Sequence, residues 1–504
     1  MGQVKVLLLH WWLGLSLATL FFYPLISALT DRPFYLHWKY DNSLELITVM
    51  LASSVVMGLL LFMIETCPNS NQVKLFLTLV LVVVPVLSAS VYIAWQLDFT
   101  VWGKVLTDRI ASGVKYGLVT VFVAGLGSVA WRYHQAVRQA IVTAILVISP
   151  LNIVATVTVV RAGYLEPTLA VHAQGPIEAR SSDSTQRSVF VLLFDELDHG
   201  VLYQDGDIRE EFPNLRAFAA TAENYHQAMS PGSETLTAIP GILGGRKVKV
   251  NDRQGLRLYE VSDTGAMAPL DIAGSGLFAV ARDRGFKTVL YGWMFPYCEM
   301  LKEKIDECQA FSIYNYATIN ESFSIMNPIL TNIVLSPHSI PIGFLKTPIY
   351  CKLHHEVASR IYELAVTSMK DEQPVFELIH FNLPHSPFVY DGARYNPASD
   401  PWLQNEDNYV KQVKYVDYLV GRFLAEMETH GRLSTSDIII MSDHGYRALA
   451  PPGGAFHVPL LIKRAGQAMR RDSHAQVQTE EILRSLVGVP GAGEIADWPG
   501  IRHS

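Results

Sequence analysis

The residues best suited to chemistry follow short apolar runs in the second half of the chain. One run, SVFVLLFDE, ends in Asp195 and Glu196, and another, SDIIIMSDHG, ends in Asp443 and His444. An acid that closes a strand is more often a helix cap or a turn residue. Clustered carboxylates, however, repel one another unless a cation neutralises them. We therefore predict one divalent metal ion, zinc or manganese, at Asp195, Asp443 and His444.

A hydroxyl-rich segment, AMSPGSETLTAIPGILGG, contains the candidate nucleophile. Its Pro-Gly pair precedes residues that can open a helix, so Ser233 or Thr235 would lie at a helix N-terminus, where backbone N–H groups and the helix dipole favour an anion. A hydroxyl that also binds the metal would ionise more readily and could attack phosphorus. The alternative is that Ser233 only caps the helix and Thr235 lies in its first turn.

Three further residues are candidates for the same site. His385, in LPHSP, would stabilise charge or protonate a leaving oxygen, or it is a packed or solvated histidine. His457, in FHVPLLIK, either lines the pocket or lies outside it. Glu196 is either an alternate metal ligand or a residue that contacts the ligands without binding the metal. The aromatic residues of YGWMFPYC either shape a substrate pocket or pack in the core.

The elements that must position these residues alternate along the second half of the chain. Short β-branched runs such as FKTVLYGW and PVFELIHFN alternate with helical patterns such as EVASRIYELAVTSMK and YVKQVKYVDYLVGRFLAEMETHG. This alternation predicts an α/β domain with a mostly parallel sheet. Functional residues of such sheets gather beyond the carboxyl ends of the strands, which is where the candidate residues lie.

The first third of the chain predicts a membrane domain. Of the 504 residues, 50% are hydrophobic and 17% are charged, and nearly all the long apolar runs precede residue 161. A spanning helix needs about 20 apolar residues. Five runs approach this length and predict an N-terminal α-helical transmembrane bundle: 6–28, 46–64, 75–95, 110–131 and 140–160. We expect 161–187 to be a linker and 188–504 to be the catalytic domain.

Charge excludes one class of function and leaves the membrane orientation open. The net charge of -7 and the lack of a basic cluster predict no nucleic-acid partner. Lysines and arginines divide almost evenly between the two sets of loops, so they do not decide the orientation. Five spans require only that the two ends of the chain lie on opposite sides of the membrane. If one run were interfacial, the topology would be inverted.

The sequence leaves alternatives open for one pair of cysteines and for one apolar stretch. Cys298 and Cys308 could form a disulfide if their part of the chain is extracytoplasmic, but sequence spacing does not show their Cα separation. The apolar stretch 327–345, interrupted by prolines, either touches the membrane surface or is buried in the domain.

The order of four motifs, FDE, SPGSETLTAIP, LPHSP and SDHG, resembles the sulfatase-type branch of the alkaline phosphatase superfamily. With the apolar helices in front, the whole chain is similar to the phosphoethanolamine transferases and lipoteichoic acid synthases of bacterial envelopes. On this resemblance the nucleophile is Thr235, the first metal ligand is Asp195, the last two ligands are Asp443 and His444, and the substrate-side histidine is His385.

Departures from the family pattern narrow these expectations. The Cys-x-Pro-x-Arg signature of arylsulfatases, whose cysteine becomes formylglycine, is missing. The cysteines that flank the nucleophile in phosphoethanolamine transferases are replaced by Pro231 and Gly241, which leaves the donor headgroup open. The Asp-x-x-x-His element that holds a second zinc in phosphodiesterases is not evident, so we expect one metal.

The resemblance implies transfer of a phosphoethanolamine or phosphoglycerol type group from a membrane phospholipid to an envelope lipid or glycan. The transfer would proceed through a covalent intermediate on Thr235, with the catalytic domain on the periplasmic side of the bacterial inner membrane. One alternative is a membrane-anchored hydrolase of phosphodiesters or sulfate esters. Another is a non-catalytic membrane protein that retains the fold.

Overall fold

The computed structural model describes most of the chain and divides it into two compact units. The described residues are 2–96 except 32 and 69, 128, 131–165, and 187–488 except 247, 252–256, 262–266, 270, 271, 302, 303, 321, 337–342, 372 and 451–454. The N-terminal unit consists of Met1–Thr168 and Tyr314–Ile349, and the catalytic unit consists of Leu169–Ile313 and Tyr350–Ser504. The range predicted as catalytic domain, 188–504, therefore contains a segment of the N-terminal unit. We call Tyr314–Ile349 the inserted segment.

The N-terminal unit is built from apolar helices. They are α1 (Gly2–Phe21), α2 (Tyr23–Asp31), α3 (Tyr40–Thr66), α4 (Asn71–Gln96), α5 (His134–Ile148) and α6 (Leu151–Leu165). Helices α1 and α3 cross closely because glycines lie at the contact. A Cβ on Gly14 would lie 2.2 Å from the Ser54 carbonyl oxygen, and one on Gly58 would lie 2.8 Å from the His10 carbonyl oxygen. Small residues at a crossing let helix backbones approach within a membrane.

Three described helices are long and apolar enough to cross a membrane: Val4–Phe21, Tyr40–Thr66 and Asn71–Ser90. The pair His134–Ile148 and Leu151–Gly163, bent by 41°, would count as a fourth span. The predicted first span, 6–28, is not one continuous helix, because α1 ends at Phe21 and a new helix begins at Tyr23. The predicted span 110–131 lies outside the described residues except at its C-terminal end.

The catalytic unit is centred on an eight-stranded sheet with the strand order β15-β4-β14-β13-β1-β10-β8-β9. Its strands are β1 (Val189–Asp195), β4 (Glu223–Met229), β8 (Lys287–Trp293), β9 (Glu307–Phe311), β10 (Val375–Pro384), β13 (Asp437–Ser442), β14 (His457–Lys463) and β15 (Arg471–Gln478). Only β14 runs antiparallel to its two neighbours. The α/β domain with a mostly parallel sheet is therefore confirmed.

The remaining described strands form small ribbons outside the main sheet. They are β2 (Tyr203–Gln204), β3 (Asp207–Ile208), β5 (Val248–Asn251), β6 (Arg257–Val261), β7 (Met267–Pro269), β11 (Tyr390–Asp391) and β12 (Arg394–Tyr395). The central strands β1 and β10 are buried along their whole length. This burial explains why β1 reads as an unbroken apolar run rather than as an alternating pattern.

Helices flank this sheet and connect its strands. They are α7 (His199–Leu202), α8 (Pro213–Ala219), α9 (Thr235–Gly244), α10 (Ile272–Ser275), α11 (Leu277–Asp283), α12 (Tyr297–Leu301), α14 (Gly343–Ser368), α15 (Glu406–Thr429) and α16 (Thr479–Leu486). The inserted segment contains α13 (Met326–Leu335) and the first residues of α14, up to Ile349. A disulfide joins Cys298 in α12 to Cys308 in β9, with their Cα atoms 5.7 Å apart. The pairing that sequence spacing left open is therefore formed.

Polar contacts hold the inserted segment within the N-terminal unit. The Asn332 side chain accepts a hydrogen bond from the Leu25 N–H (3.2 Å) and donates one to the Phe21 carbonyl (2.8 Å), at the break between α1 and α2. Glu45 accepts from the Ser324 N–H at 2.9 Å. The described part of the stretch 327–345 thus packs on the N-terminal helices, a position that sequence reasoning did not predict.

Candidate active site

The parallel pairing of β1 and β13 brings three acidic and basic side chains to one edge of the sheet. Phe194 is in register with Ser442, so the residues that follow, Asp195 on one strand and Asp443 with His444 on the other, are neighbours. All three are fully buried. They form the one group among the described residues whose His, Cys, Asp or Glu ligand atoms could hold a metal ion, with all three ligand atoms within 4.8 Å of one another.

Thr235 is the first residue of α9 and points its hydroxyl at this cluster. The N-cap residue is Glu234, so the alternative in which Ser233 caps the helix is not what the structure adopts. The loop before α9 packs tightly, because a Cβ on Gly232 would lie 2.5 Å from the Ala238 nitrogen. The Ser230 hydroxyl, in the same loop, donates a hydrogen bond to the Asp443 carbonyl. This bond ties the loop before Thr235 to the residue that follows β13.

The spacing of the ligand atoms fits a tetrahedral ion. Thr235 Oγ1 lies 3.4 Å from both carboxylate oxygens of Asp195 and 3.2 Å from His444 Nε2. His444 Nε2 lies 3.8 Å from Asp195 Oδ1 and 3.6 Å from Asp443 Oδ2. Ligands at about 2.1 Å from a tetrahedral zinc are separated by about 3.4 Å. The measured distances, 3.2 to 3.8 Å, are thus close to the separation of ligands around one such ion.

The hydrogen bonds of His444 and Asp443 leave one ring nitrogen and one carboxylate oxygen available to bind a cation. His444 Nδ1 lies 2.8 Å from the Gly445 carbonyl, which can only accept, so Nδ1 carries the proton and Nε2 presents its lone pair to the cluster. Asp443 Oδ1 accepts from the N–H groups of Glu196 (3.0 Å) and His444 (2.7 Å). Its other oxygen, Oδ2, is buried without a hydrogen-bond partner among the described residues. A buried, unpaired carboxylate oxygen requires a proton or a cation.

The electrostatics agree with a cation site. Burial raises the pKa of Asp195 well above its usual value, and the nearby carboxylates of Asp443 and Glu196 raise it further. Burial also raises the pKa of Asp443. Carboxylates this close are not both ionised in a low-dielectric site unless positive charge compensates them.

His385, Glu196 and Arg447 lie along one side of the cluster. His385 Nδ1 donates to the Ser386 carbonyl at 2.5 Å, and its Nε2 accepts from Arg447 Nη2 at 3.3 Å. Arg447 Nε donates to Glu196 Oε1 at 2.6 Å. Glu196 is therefore paired with a guanidinium and is not part of the ligand group. The ring of Trp293 lies against His385, with 5.6 Å between centroids.

The candidate ligand group does not include three residues considered from the sequence: His457, Tyr291 and Tyr297. His457 donates from Nε2 to the His226 carbonyl at 2.8 Å, and its ring stacks on His199 at 4.0 Å, so it does not join the ligand group. Tyr291 and Tyr297 of the aromatic run are buried core residues. Of that run, Trp293 is the residue in ring contact with the candidate site residue His385.

Sequence reasoning missed two residues that shape the site. Arg447 follows His444 by three positions, and a cation so close to a metal motif was the signal that could have identified it. Tyr409, on α15, accepts from the Asp198 N–H (2.9 Å) and donates to the Glu196 carbonyl (2.6 Å). Tyr409 therefore fixes the turn after β1. The sequence does not indicate this role, because Tyr409 is far from that turn along the chain.

A mostly parallel α/β domain with a buried Asp-Asp-His cluster beside a helix-terminal threonine is the arrangement of metal-dependent enzymes in the alkaline phosphatase/sulfatase superfamily. The Sulfatase family profile matches residues 187–492, and the chain belongs to this family of enzymes. No curated protein matches the chain.

Solved structures similar to this chain include hydrolases of two kinds. A phosphonate monoester hydrolase of Agrobacterium radiobacter is 16% identical, with a TM-score of 0.40, over 60% of this chain and 74% of that one. A phosphonate monoester hydrolase from Silicibacter pomeroyi is 16% identical, with a TM-score of 0.39, over 60% and 73%. A 2-O GAG sulfatase is 13% identical, with a TM-score of 0.40, over 62% and 72%.

Proposed function

We propose that this enzyme transfers a phospho-alcohol group, of the phosphoethanolamine or phosphoglycerol type, from a membrane phospholipid to an envelope lipid or glycan. The observation that carries the proposal is the position of Thr235 Oγ1, 3.2 to 3.4 Å from the ligand atoms of His444 and Asp195 at a helix N-terminus. A threonine hydroxyl in this position is suited to covalent catalysis. It cannot become the formylglycine on which arylsulfatase chemistry depends.

Asp195, Thr235, Asp443 and His444 would hold the ion. A bound zinc or manganese ion would supply Lewis-acid stabilisation to the Thr235 alkoxide and to the developing charge of the ester. In the first step, Thr235 Oγ1 loses its proton to solvent and forms a bond to phosphorus as the bond from phosphorus to the diacylglycerol oxygen breaks. The phospho-alcohol group is then an ester of Thr235.

His385 is the residue we assign to proton transfer. In the first step it takes up a proton from solvent at Nε2 and gives that proton to the departing diacylglycerol oxygen. In the second step an acceptor hydroxyl attacks phosphorus, gives its proton to His385, and the bond from phosphorus to Thr235 Oγ1 breaks. The N–H groups at the start of α9 stabilise negative charge during both displacements.

Charge balance favours a monoanionic substrate. Asp195, Asp443 and a Thr235 alkoxide together carry one more negative charge than a divalent cation neutralises, and Glu196 and Arg447 cancel each other. The excess charge repels a dianionic monoester more strongly than a monoanionic diester, because the repulsion scales with the product of the charges. A membrane phospholipid with an alcohol headgroup meets this requirement.

The anchor and the disulfide support a site on the outer face of the membrane. The apolar N-terminal helices would keep the enzyme in the same bilayer as a lipid donor. The disulfide between Cys298 and Cys308 belongs to an oxidising compartment such as the bacterial periplasm. The count of five spans, which would put the catalytic unit opposite the N-terminus, remains a prediction.

A second candidate function is hydrolysis of a phosphodiester or a sulfate ester, with water as the second acceptor. The match of the Sulfatase family profile to 187–492 favours it. Both candidates share the first step and differ only in what attacks the intermediate. No residue of the chain identifies that acceptor, so product analysis must separate them.

The test is intact mass spectrometry of the detergent-purified chain after incubation with bacterial phospholipids and zinc or manganese. The expected result is a metal-dependent adduct on Thr235, with release of diacylglycerol. Thr235→Ala should form no adduct and lose at least about a thousandfold in turnover, a loss of about 4 kcal/mol in transition-state stabilisation. Thr237→Ala is the matched control, since that hydroxyl donates to the Glu234 carbonyl (3.1 Å) within the same helix.

Each outcome separates the candidates. Transfer of the adduct to a glycan or lipid acceptor supports the transferase, and release of a free phospho-alcohol in every acceptor mixture supports the hydrolase. If turnover is retained in Thr235→Ala, the covalent mechanism is wrong.

A further inference from the structure

Glu196 and Arg447 form an ion pair directly beside the metal-ligand cluster. Arg447 Nε donates to Glu196 Oε1 at 2.6 Å, and the Glu196 side chain is 4% exposed whereas that of Arg447 is 50% exposed. The carboxylate is thus buried behind a cation that faces the open side of the site.

Hydrogen bonds hold the backbone of Glu196 in an unfavourable conformation. Its φ is +68°, in the left-handed region that is unfavourable for a residue with a side chain. Its N–H donates to Asp443 Oδ1 at 3.0 Å, and its carbonyl accepts from the Tyr409 hydroxyl at 2.6 Å. These bonds keep Asp195 directed at Thr235 and Glu196 directed at Arg447. Such a held, unfavourable backbone is typical of functional sites.

The guanidinium of Arg447 has donors left over for a ligand. Its Nε is used by Glu196, and its Nη2 lies 3.3 Å from His385 Nε2. Within the described part of the chain, no residue accepts a hydrogen bond from Nη1. Burial lowers the pKa of Arg447, but Glu196 and the carboxylates of Asp195 and Asp443 raise it overall, so the cation is permanent. A planar guanidinium with free donors matches the oxygens of a phosphoryl or sulfuryl group.

We propose that Arg447 binds a non-bridging oxygen of the substrate's anionic group and that Glu196 is its positioning residue rather than a metal ligand. When Nη2 turns to the substrate oxygen, the lone pair on His385 Nε2 is released. His385 can then carry the proton that the leaving oxygen needs. The inference rests on the proposed function for the identity of the ester, but anion binding at Arg447 does not depend on turnover.

The experiment compares variants of the full chain in detergent with zinc bound. Arg447→Gln removes the charge, Arg447→Lys keeps it without the planar donors, and Glu196→Gln removes the orienting carboxylate. The matched control is Arg464→Gln, because Arg464 forms an ion pair with Asp437 (3.3 Å) at the opposite end of β13. Calorimetry with inorganic phosphate measures anion binding without turnover, and kinetics with a chromogenic phosphodiester measure KM and kcat.

We expect Arg447→Gln to weaken phosphate binding and raise KM at least tenfold. Arg447→Lys should restore part of the loss, and Arg464→Gln should bind phosphate normally. Glu196→Gln should still bind one zinc per chain, with KM raised severalfold. The proposal is overturned if Arg447→Gln binds phosphate as the unsubstituted chain does, or if Glu196→Gln loses zinc. Phosphate binding that depends on Arg447 in a chain that forms no Thr235 adduct would support this inference while contradicting the proposed function.

Discussion

At His444 the chemistry depends on which ring nitrogen carries the proton. The Gly445 carbonyl receives the Nδ1 proton, so Nε2 faces Thr235 and the two aspartates with its lone pair. The neighbouring Asp443 contributes one oxygen that accepts two backbone N–H groups and one that is unpaired among the described residues. Each residue thus uses one polar atom to fix its orientation and leaves the other for a cation.

Histidine substitutions should separate metal ligands from neighbours. His444→Ala removes one of four ligand atoms and should weaken zinc binding at least about tenfold to a hundredfold, the loss typical even of residues that only support the ligands. His457→Ala should keep one zinc per chain, because His457 Nε2 is bonded to the His226 carbonyl instead. Competition with a chelator measures both affinities. Loss of zinc in His457→Ala alone would show that the ion is bound elsewhere.

Chelation should likewise abolish turnover of the unsubstituted chain, and added zinc or manganese should restore it. Turnover that survives complete removal of the metal would contradict the role assigned to the cluster.

At the scale of elements, strand β10 carries a buried acid that the mechanism does not use. Glu377 is fully buried on this strand, and its Oε2 lies 2.5 Å from the Ser368 hydroxyl on α14. That hydroxyl donates to the Ala365 carbonyl at 2.8 Å, so its single proton is already used. A protonated Glu377 can donate to Ser368 instead. Burial raises the pKa of Glu377 to about 8.

This raised pKa predicts that stability falls as the pH rises. Between the unfolded pKa of 4.5 and the folded pKa of about 8, the folded state binds a proton that the unfolded state has lost. The free energy of unfolding therefore decreases across this window, at up to about 1.4 kcal/mol per pH unit. Glu377→Gln removes this contribution and should raise the unfolding temperature at pH 8 more than at pH 5.

Thermal unfolding of the two chains in detergent, followed by tryptophan fluorescence from pH 5 to pH 8, checks the sign. Glu363→Gln is the control, since that side chain is 63% exposed on α14. An equal effect of Glu377→Gln at every pH would contradict a protonated carboxyl.

At the scale of the whole molecule, the number of spans decides where the catalytic unit lies. With five spans and the N-terminus inside, the turn between α3 and α4, which contains Cys67, faces the cytoplasm and the catalytic unit faces outward. With four spans, an outward catalytic unit would put Cys67 outside as well. The two topologies therefore differ at one native cysteine.

Cysteine labelling in intact bacterial cells distinguishes these topologies. In a chain with Cys351→Ser, a membrane-impermeant maleimide should label Glu210→Cys, whose side chain is 92% exposed in the catalytic unit. Cys67 should be labelled only after the cells are permeabilised. Labelling of both sites in intact cells would support four spans, and labelling of neither would put the catalytic unit in the cytoplasm.

Much of the site could be predicted from local patterns. Asp195, Asp443 and His444 each follow an apolar run long enough for a buried strand, and Thr235 follows a Pro-Gly pair that ends a loop. Strand period, helix start signals and ligand chemistry are properties of a few adjacent residues. They can therefore be predicted without knowing which segments of the chain meet.

The tertiary structure decided the contacts between distant segments. Arg447 pairs with Glu196 across 251 positions because β1 and β13 are adjacent parallel strands. The candidate ligand group consists of Asp195, Asp443 and His444 without Glu196. His457 is directed to the His226 carbonyl because β14 is antiparallel to β4. Such contacts depend on strand order and on side-chain direction at a given register. Composition and residue spacing do not specify strand order or side-chain direction, whereas the folded sheet specifies both.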